Sequence, residues 1–448
     1  MHSQGNKMRN LIIIFMIIFS GCAMKKYDFT SPIGDVNESY YEQNLSWWEG
    51  YDNALLNKTM KTILENNLDL KNSNLNIEKF IAYLGLSRAD LLPTFGASYN
   101  ASANKNIDEN SNSDINFKSS LNVSYEVDLF GKFMDKYKKS VFLLNASKLD
   151  LNALDLSIKS DSVSTFFNLM YLQNAKDKIY KMKQNYEKLK EIIVAKFNYG
   201  RADKLEVEQI NQALLQSDEK ILNINTQIYT IQEKLKNLMY MQNLPNLKNY
   251  NIFDVKLLGI SKEIPIEILS NRPDIKSAEL NLKATFYNYK YTFKSLYPNI
   301  TLGASLSSNE QKFDDSFKFS FLGGNIQITL PFLDYARVKN NIKVSEVEYE
   351  MAKNDFLKKL NSAINEFYRA FLDYENYKFK FENTSEILNH SINITKYYQI
   401  RYDNGKNELY DLINAKNTEL NYELNLLYDK YILLQNENLI YKIVGGKI

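Results

Sequence analysis

Hydrophobic positions recur along this chain in two rhythms, three-to-four and two. From about Ala54 to Leu86 they step by three and four, with Leu64, Leu68, Leu75 and Ile77 among them, which predicts a helix. The rhythm then changes to two. Phe95, Ala97, Tyr99 and Ala101 alternate with Gly96, Ser98 and Asn100. Phe117, Ser119, Leu121, Val123, Tyr125 and Val127 alternate with Lys118, Ser120, Asn122, Ser124 and Glu126. Both runs predict strands with one apolar and one polar face, joined by the polar loop from Lys105 to Asp114. A very long helical stretch follows, from about Lys132 to Asn198, and breaks at Tyr199-Gly200-Arg201. The return carries Ile210, Leu214, Ser217, Ile221, Ile224, Ile228, Ile231, Leu235 and Leu238, a sustained coiled-coil seam.

The second half repeats this plan at an offset of about 205 residues. Leu68-Asp69 answers Pro273-Asp274, Pro93 answers Pro298, and Tyr199-Gly200-Arg201 answers Asn404-Gly405-Lys406. Ile300, Leu302, Ala304 and Leu306 alternate with Thr301, Gly303 and Ser305, and the polar loop from Asn309 to Ser316 follows. Phe317, Phe319 and Phe321 then fall on odd positions, whereas Ile326, Ile328 and Leu330 fall on even ones. That switch across Gly323-Gly324 predicts a β-bulge. A second long helix, about Arg337 to Asp403, leads to a return seam of Ile413, Asn417, Leu420, Leu424, Leu427, Tyr431 and Leu434. The two seams correspond at an offset of 203, a small slip within the duplication. The units are therefore 53–244, with a hairpin at 94–129 and a tip near 200, and 271–448, with a hairpin at 298–332 and a tip near 405. Residues 245–270, with Pro245 and Gly259, form the linker. Asn271 is the expected cap of the helix that Pro273 opens.

Each strand is roughly ten to fifteen residues, enough to cross a bilayer when tilted. A soluble antiparallel sheet has the same alternation, so periodicity leaves both open. In lipid, four strands cannot leave their edges unpaired, so copies of the chain must close them. Two copies give eight strands and a filled interior, three give twelve and a lumen. Counting does not choose between them. The long helices, roughly 100 Å each, need neighbours for support.

The N-terminus changes the picture. Lys7 and Arg9 precede a nine-residue apolar run, Leu11 to Phe19, too short to span a bilayer and suited to a signal-peptide core. Phe19-Ser20-Gly21-Cys22 resembles the bacterial lipobox, with Phe19 in place of the usual Leu. It implies a signal peptide over 1–21, counted from Met1 or Met8, and acylation of Cys22, the only cysteine. Ala23, where an Asp would imply inner-membrane retention, directs such a lipoprotein to the outer membrane. Residues 22–52 then form a lipidated tether.

Charge and scarcity exclude other classes. The net charge is +2, from 55 basic and 53 acidic residues, which gives no support for a nucleic-acid partner. His390 is the only histidine beyond the signal peptide, so no His/Cys metal centre can form within one chain. It stands near no nucleophile motif, and the chain has no phosphate-binding loop or dinucleotide fingerprint. We expect no enzyme, no metal and no cofactor beyond the lipid on Cys22.

Five separated motifs carry a resemblance. Trp47-Trp48, Asn66-Asn67-Leu68-Asp69-Leu70, Asp128-Leu129-Phe130-Gly131-Lys132, Arg272-Pro273-Asp274-Ile275 and Pro331-Phe332-Leu333-Asp334 fall in the order found in the TolC-type outer-membrane efflux proteins. The likeness covers nearly all of the chain beyond Cys22 and is nearest to the lipoprotein branch serving RND multidrug pumps. Ala336 and Asn53 stand where that family has Gly and Pro. The resemblance implies a mixed α and β fold, a homotrimer with a twelve-stranded β-barrel in outer-membrane lipid and a twelve-helix periplasmic tunnel. It implies a passive exit duct for drugs or other small molecules, joined to a periplasmic adaptor and an RND-type inner-membrane pump. By the family pattern Asp411 is the acid that narrows the entrance, and Asn414 replaces a second acid. Glu206, six residues after Gly200, adds charge nearby. Tyr199, Gly200, Arg201, Asn404, Gly405 and Lys406 are the implied adaptor contacts. The rivals are a duct for a type I protein-secretion or metal-export system, and a lipid-anchored coiled-coil spacer with no pore.

Overall fold

The computed structural model describes residues 29, 46–105, 114–244, 250–260 and 266–446. Cys22, the signal segment and nearly all of the tether up to residue 45 lie outside the described residues, as do parts of the first strand loop and of the linker. The elements are α1 (Ala54–Asn66), α2 (Leu68–Ala89), β1 (Thr94–Asn104), β2 (Asp114–Val127), α3 (Lys132–Asn198) and α4 (Lys204–Met239). The second set is α5 (Pro273–Lys294), β3 (Asn299–Glu310), β4 (Phe321–Thr329), α6 (Tyr335–Asp403) and α7 (Leu409–Ile443). Helices α2 and α5 begin and end 205 residues apart, α3 and α6 end 205 apart, and α4 and α7 begin 205 apart.

The expected first helix is two helices. Asn67 breaks it, because its side chain accepts from the amides of Asp69 (2.9 Å) and Leu70 (3.1 Å) and so caps α2. The apolar rhythm runs through the break, so periodicity could not reveal it. The cap of α5 also differs from expectation. Arg272 occupies the cap position and Asn271 ends a 3-10 turn. Arg272 holds Asp274 with two bonds of 3.0 Å and reaches Glu366 on α6 at 2.9 Å. Burial pushes the Asp274 carboxyl upward, but the bonds and charge of Arg272 outweigh it and hold it below the usual carboxylate range.

The four strands form one antiparallel sheet in the order β1-β2-β3-β4. Its register aligns Phe95 with Val123, Ala304 and Gly324, and Ala97 with Leu121, Leu306 and Leu322. The apolar positions therefore share one face, which is largely exposed, except Phe321 at the start of β4, which is in register with Ser307, Ser120 and Ser98 on the other face beside Asn122, Ser305 and Gln327. No bulge occurs at Gly323-Gly324, which pair regularly with Ser305 and Ala304. The parity switch has another cause. Phe317 and Phe319 precede β4, so their positions say nothing about its faces, and Phe321, its first residue, pairs with Ser307 on the polar face. β1 and β4 lie at the two edges of this sheet.

The 203-residue offset of the seams is not an insertion, because α4 and α7 start in phase with the duplication. It is a change of buried face. Helix α4 packs chiefly on α3, whereas α7 packs on both α3 and α6 and buries a broader band. The main core gathers at the end of α7 and the middle of α3. There the 3-10 turn Trp47–Tyr51 inserts Trp47 (1 % exposed) and Tyr51 (0 %) against Phe167, Tyr441 and α1. Trp47 Nε1 donates to Asn438 Oδ1 at 3.0 Å, and Asn438 Nδ2 donates to Ser160 O at 2.8 Å.

Candidate functional site

Two hairpin tips stand at the end of the long helices remote from the sheet, and both are built alike. At the first, Gly200 has φ +68°, its amide donates to Phe197 O (2.9 Å), and the Arg201 amide donates to Lys196 O (2.8 Å). At the second, Gly405 has φ +67°, its amide donates to Tyr402 O (2.9 Å), and the Lys406 amide donates to Arg401 O (2.8 Å). These are Schellman closures, in which a left-handed residue satisfies the last helical carbonyls. Glycine takes that conformation without steric cost, which explains both tip glycines. Tyr199, Gly200, Arg201, Asn404, Gly405 and Lys406 thus form two equivalent turns, with Tyr199 82 % exposed.

The helices leaving the turns differ. Asp203 caps α4 and accepts from Glu206 N (3.0 Å), while the Glu206 carboxylate accepts from Asp203 N (3.2 Å). This capping box holds the exposed Glu206 at the helix start. Glu408 occupies the same place before α7 but makes no side-chain cap. It pairs instead with Lys196 at the end of α3, tying the two tips together.

Asp411 lies in the first turn of α7, where the positive end of the helix favours an acid. Its Oδ2 accepts from Asn407 Nδ2 at 3.0 Å, and Asn407 Oδ1 accepts from Arg401 Nε. Asp411 and Asn414 face a groove of about 410 Å³ between α6 and α7, shared with His390, Ile394, Tyr398 and Tyr422. The structure thus brings Asp411 and Asn414 together and leaves Glu206 on the other hairpin.

Polar groups that the apolar seams conceal hold the inner hairpin. Asn417, a seam position, accepts from Asn185 Nδ2 at 2.9 Å across α7 and α3. Asp429 (1 % exposed) accepts from Thr384 at 2.7 Å and pairs with Lys380 at 2.8 Å. Glu437 is fully buried and accepts from the linker amide of Gly259 at 2.7 Å. Burial raises its carboxyl, and the amides of Leu258 and Gly259 moderate that rise. Asn417, a polar residue at a seam position, was the available signal, while Asp429 and Glu437 lie off the seam and are buried because α7 is covered on two sides. Among the described residues no group of three His, Cys, Asp or Glu side chains could hold a metal, and no helix is long and apolar enough to cross a membrane.

Residues 59–239 and 264–446 match the profile of the outer membrane efflux protein family. A relative from Aggregatibacter actinomycetemcomitans, toxin and drug export protein A, is 31 % identical over 451 residues, covering 98 % of each chain. Among solved structures, the Campylobacter jejuni CmeC outer membrane channel superposes with a TM-score of 0.80 at 24 % identity, over 95 % of this chain and 94 % of that one. The open state of the Neisseria gonorrhoeae MtrE outer membrane channel gives 0.81 at 20 % identity, over 94 % and 96 %. The tips, the sheet and the duplicated helices are therefore parts of a shared channel fold.

Proposed function

Because this chain belongs to the outer membrane efflux protein family and is the outer-membrane exit duct of an efflux system, we propose that three copies close that duct. The observation that carries closure by copies is the sheet, with one exposed apolar face, one polar face and two edges in a single chain, and membership of the family favours three of them. Three copies would pair those edges into twelve strands around a lumen, with lipid outside and water inside. Their long helices would line a tunnel whose mouth is the six tips. The tips would meet a periplasmic adaptor, which couples the duct to an RND-type pump. Cys22 would carry the lipid anchor. Conduction needs no cofactor, because the pump supplies the energy.

Asp411 and Asn414 are our gate. Three Asp411 carboxylates near one axis would repel anions and attract cations. The bond from Asn407 keeps Asp411 in step with the turn, so a tip displaced by the adaptor would move the carboxylate too. Glu206 would add charge at the neighbouring tips. Single-channel conductance in planar bilayers tests this. The wild type should give small, cation-selective steps, and Asp411→Ala should enlarge them or remove the selectivity. Unchanged steps would remove Asp411 from the gate, and a folded trimer with no conductance in either form would favour a spacer.

A second reading, the duct of a type I protein-secretion system, rests on the name of the same relative, which includes a toxin. Deleting the gene and measuring drug susceptibility beside the secreted proteome separates the two.

A further inference from the structure

Near the tips one chain forms a wall of four helices. Helix α3 packs on α4 and on α7, and α7 packs in turn on α6. The order is therefore α4, α3, α7, α6, and each end helix keeps one flank bare. Both flanks are apolar. On α4, Leu215, Leu222 and Tyr229 recur every seven residues, opposite the buried Ile210, Ser217 and Ile224, and all three are exposed, Leu215 at 70 %. On α6, Leu372, Phe379, Ile387 and Ile394 step by seven or eight along one face and are likewise exposed.

The two sets mesh. Counted from the start of α4 at Lys204, Leu215, Leu222 and Tyr229 stand 11, 18 and 25 residues from the tip. Counted from the end of α6 at Asp403, Ile394, Ile387, Phe379 and Leu372 stand 9, 16, 24 and 31 residues from it. Each residue of the first set falls between two of the second, the condition for knobs to enter holes. The Lys196–Glu408 pair ties the two tips of a chain together, so both counts start at one level. Ile387 and Ile394 also line the groove that holds Asp411 and Asn414.

We propose that the next copy completes this groove, its Leu215 seated between Ile387 and Ile394. The inference rests on the trimeric duct above and names the residue each copy lends to its neighbour's gate. The occupant is a second copy because α3 and α7 stand between the two flanks of one chain. In a closed ring the α4 flank of each copy faces the α6 flank of the next, antiparallel, just as its β-edges do. Burying both flanks removes exposed apolar surface from water. With Leu215 seated, the tip end of α6 cannot swing without unseating it. Each gate is thus held by the neighbouring copy's first hairpin, and the three open together. Leu215 is a positioning residue, since it acts on Asp411 through α6.

Paired cysteines test the seat in the full-length protein in membranes, with the wild type, which holds only Cys22, as background. Leu215→Cys with Ile394→Cys should give disulfide-linked trimers under oxidation. Leu215→Cys with Leu372→Cys, about 30 Å out of register at 1.5 Å per residue, should not. Equal linking of the two pairs overturns the seat. So does the absence of any link in a protein whose native mass is that of a trimer, and the trimer then stands. A native mass below the trimer removes both readings. In bilayers, Leu215→Ala should raise the opening frequency about tenfold, the scale of truncating a seated leucine, while Leu215→Met keeps it near the wild type. Adding Ile394→Ala to Leu215→Ala should change little more, because both empty the same contact. An unchanged frequency, or fully additive effects, overturns the proposal.

Discussion

Trp47 fills the core and also saturates a buried amide, so its loss would act twice. Trp47→Ala should destabilise the protein by about 3–5 kcal/mol, the range for removing a buried indole, because it also leaves Asn438 Oδ1 without its donor. Thermal unfolding beside Trp47→Phe, which keeps a ring but not the donor, separates packing from the hydrogen bond. Asp274 makes a pH prediction. Its carboxyl is held below the unfolded value, so its pairing stabilises the fold at neutral pH. That contribution is lost as pH falls from about 4 through the lower folded value. Asp274→Asn should therefore lower the melting temperature at pH 7, and the difference should shrink in acid. The motifs around both residues were legible in the sequence, as a tryptophan pair and as Arg272-Pro273-Asp274. Their partners were not. Asn438 stands 391 residues from Trp47, and Glu366 stands 94 from Arg272. No local pattern encodes such a pairing.

At the scale of elements, the tips explain why one hairpin should move more than the other. The first is fixed by a capping box, while Glu408 leaves the second uncapped and spends its carboxylate on Lys196. This pair is exposed, and such pairs stabilise by about 0.2–1 kcal/mol. Lys196→Ala should raise the opening frequency in bilayers by up to about fivefold, as 1 kcal/mol corresponds to that factor. Prior addition of high salt should produce much of the same rise in the wild type. Helices and strands were read from periodicity because each keeps one face in a different medium from the other. The failures share a cause. The break at Asn67, the regular pairing of Gly323 and Gly324, and the cap at Arg272 are decided by single hydrogen bonds or by where a strand begins. Hydrophobic rhythm is blind to both.

For the whole molecule, the duplicated plan was legible, while the face each return helix would bury was not, since that depends on how many neighbours surround it. Helix α3 has 67 residues and α6 has 69, and both reach their tip glycine in the same phase. Deleting one heptad from α3 together with the facing heptad of α4 should draw the first tip back by about 10 Å while the second keeps its place. Export should fail although trimers and bilayer conductance survive. Deleting the corresponding heptads from all four helices should leave the tips level. Export would then return with an adaptor lengthened to match. The chain thus carries two rulers that differ by two residues and end in the same phase. A sequence that measures the same distance twice can change that distance only by altering both copies together. Insertions and deletions in these helices should therefore appear across lineages in matched pairs, while the loops at the sheet vary independently.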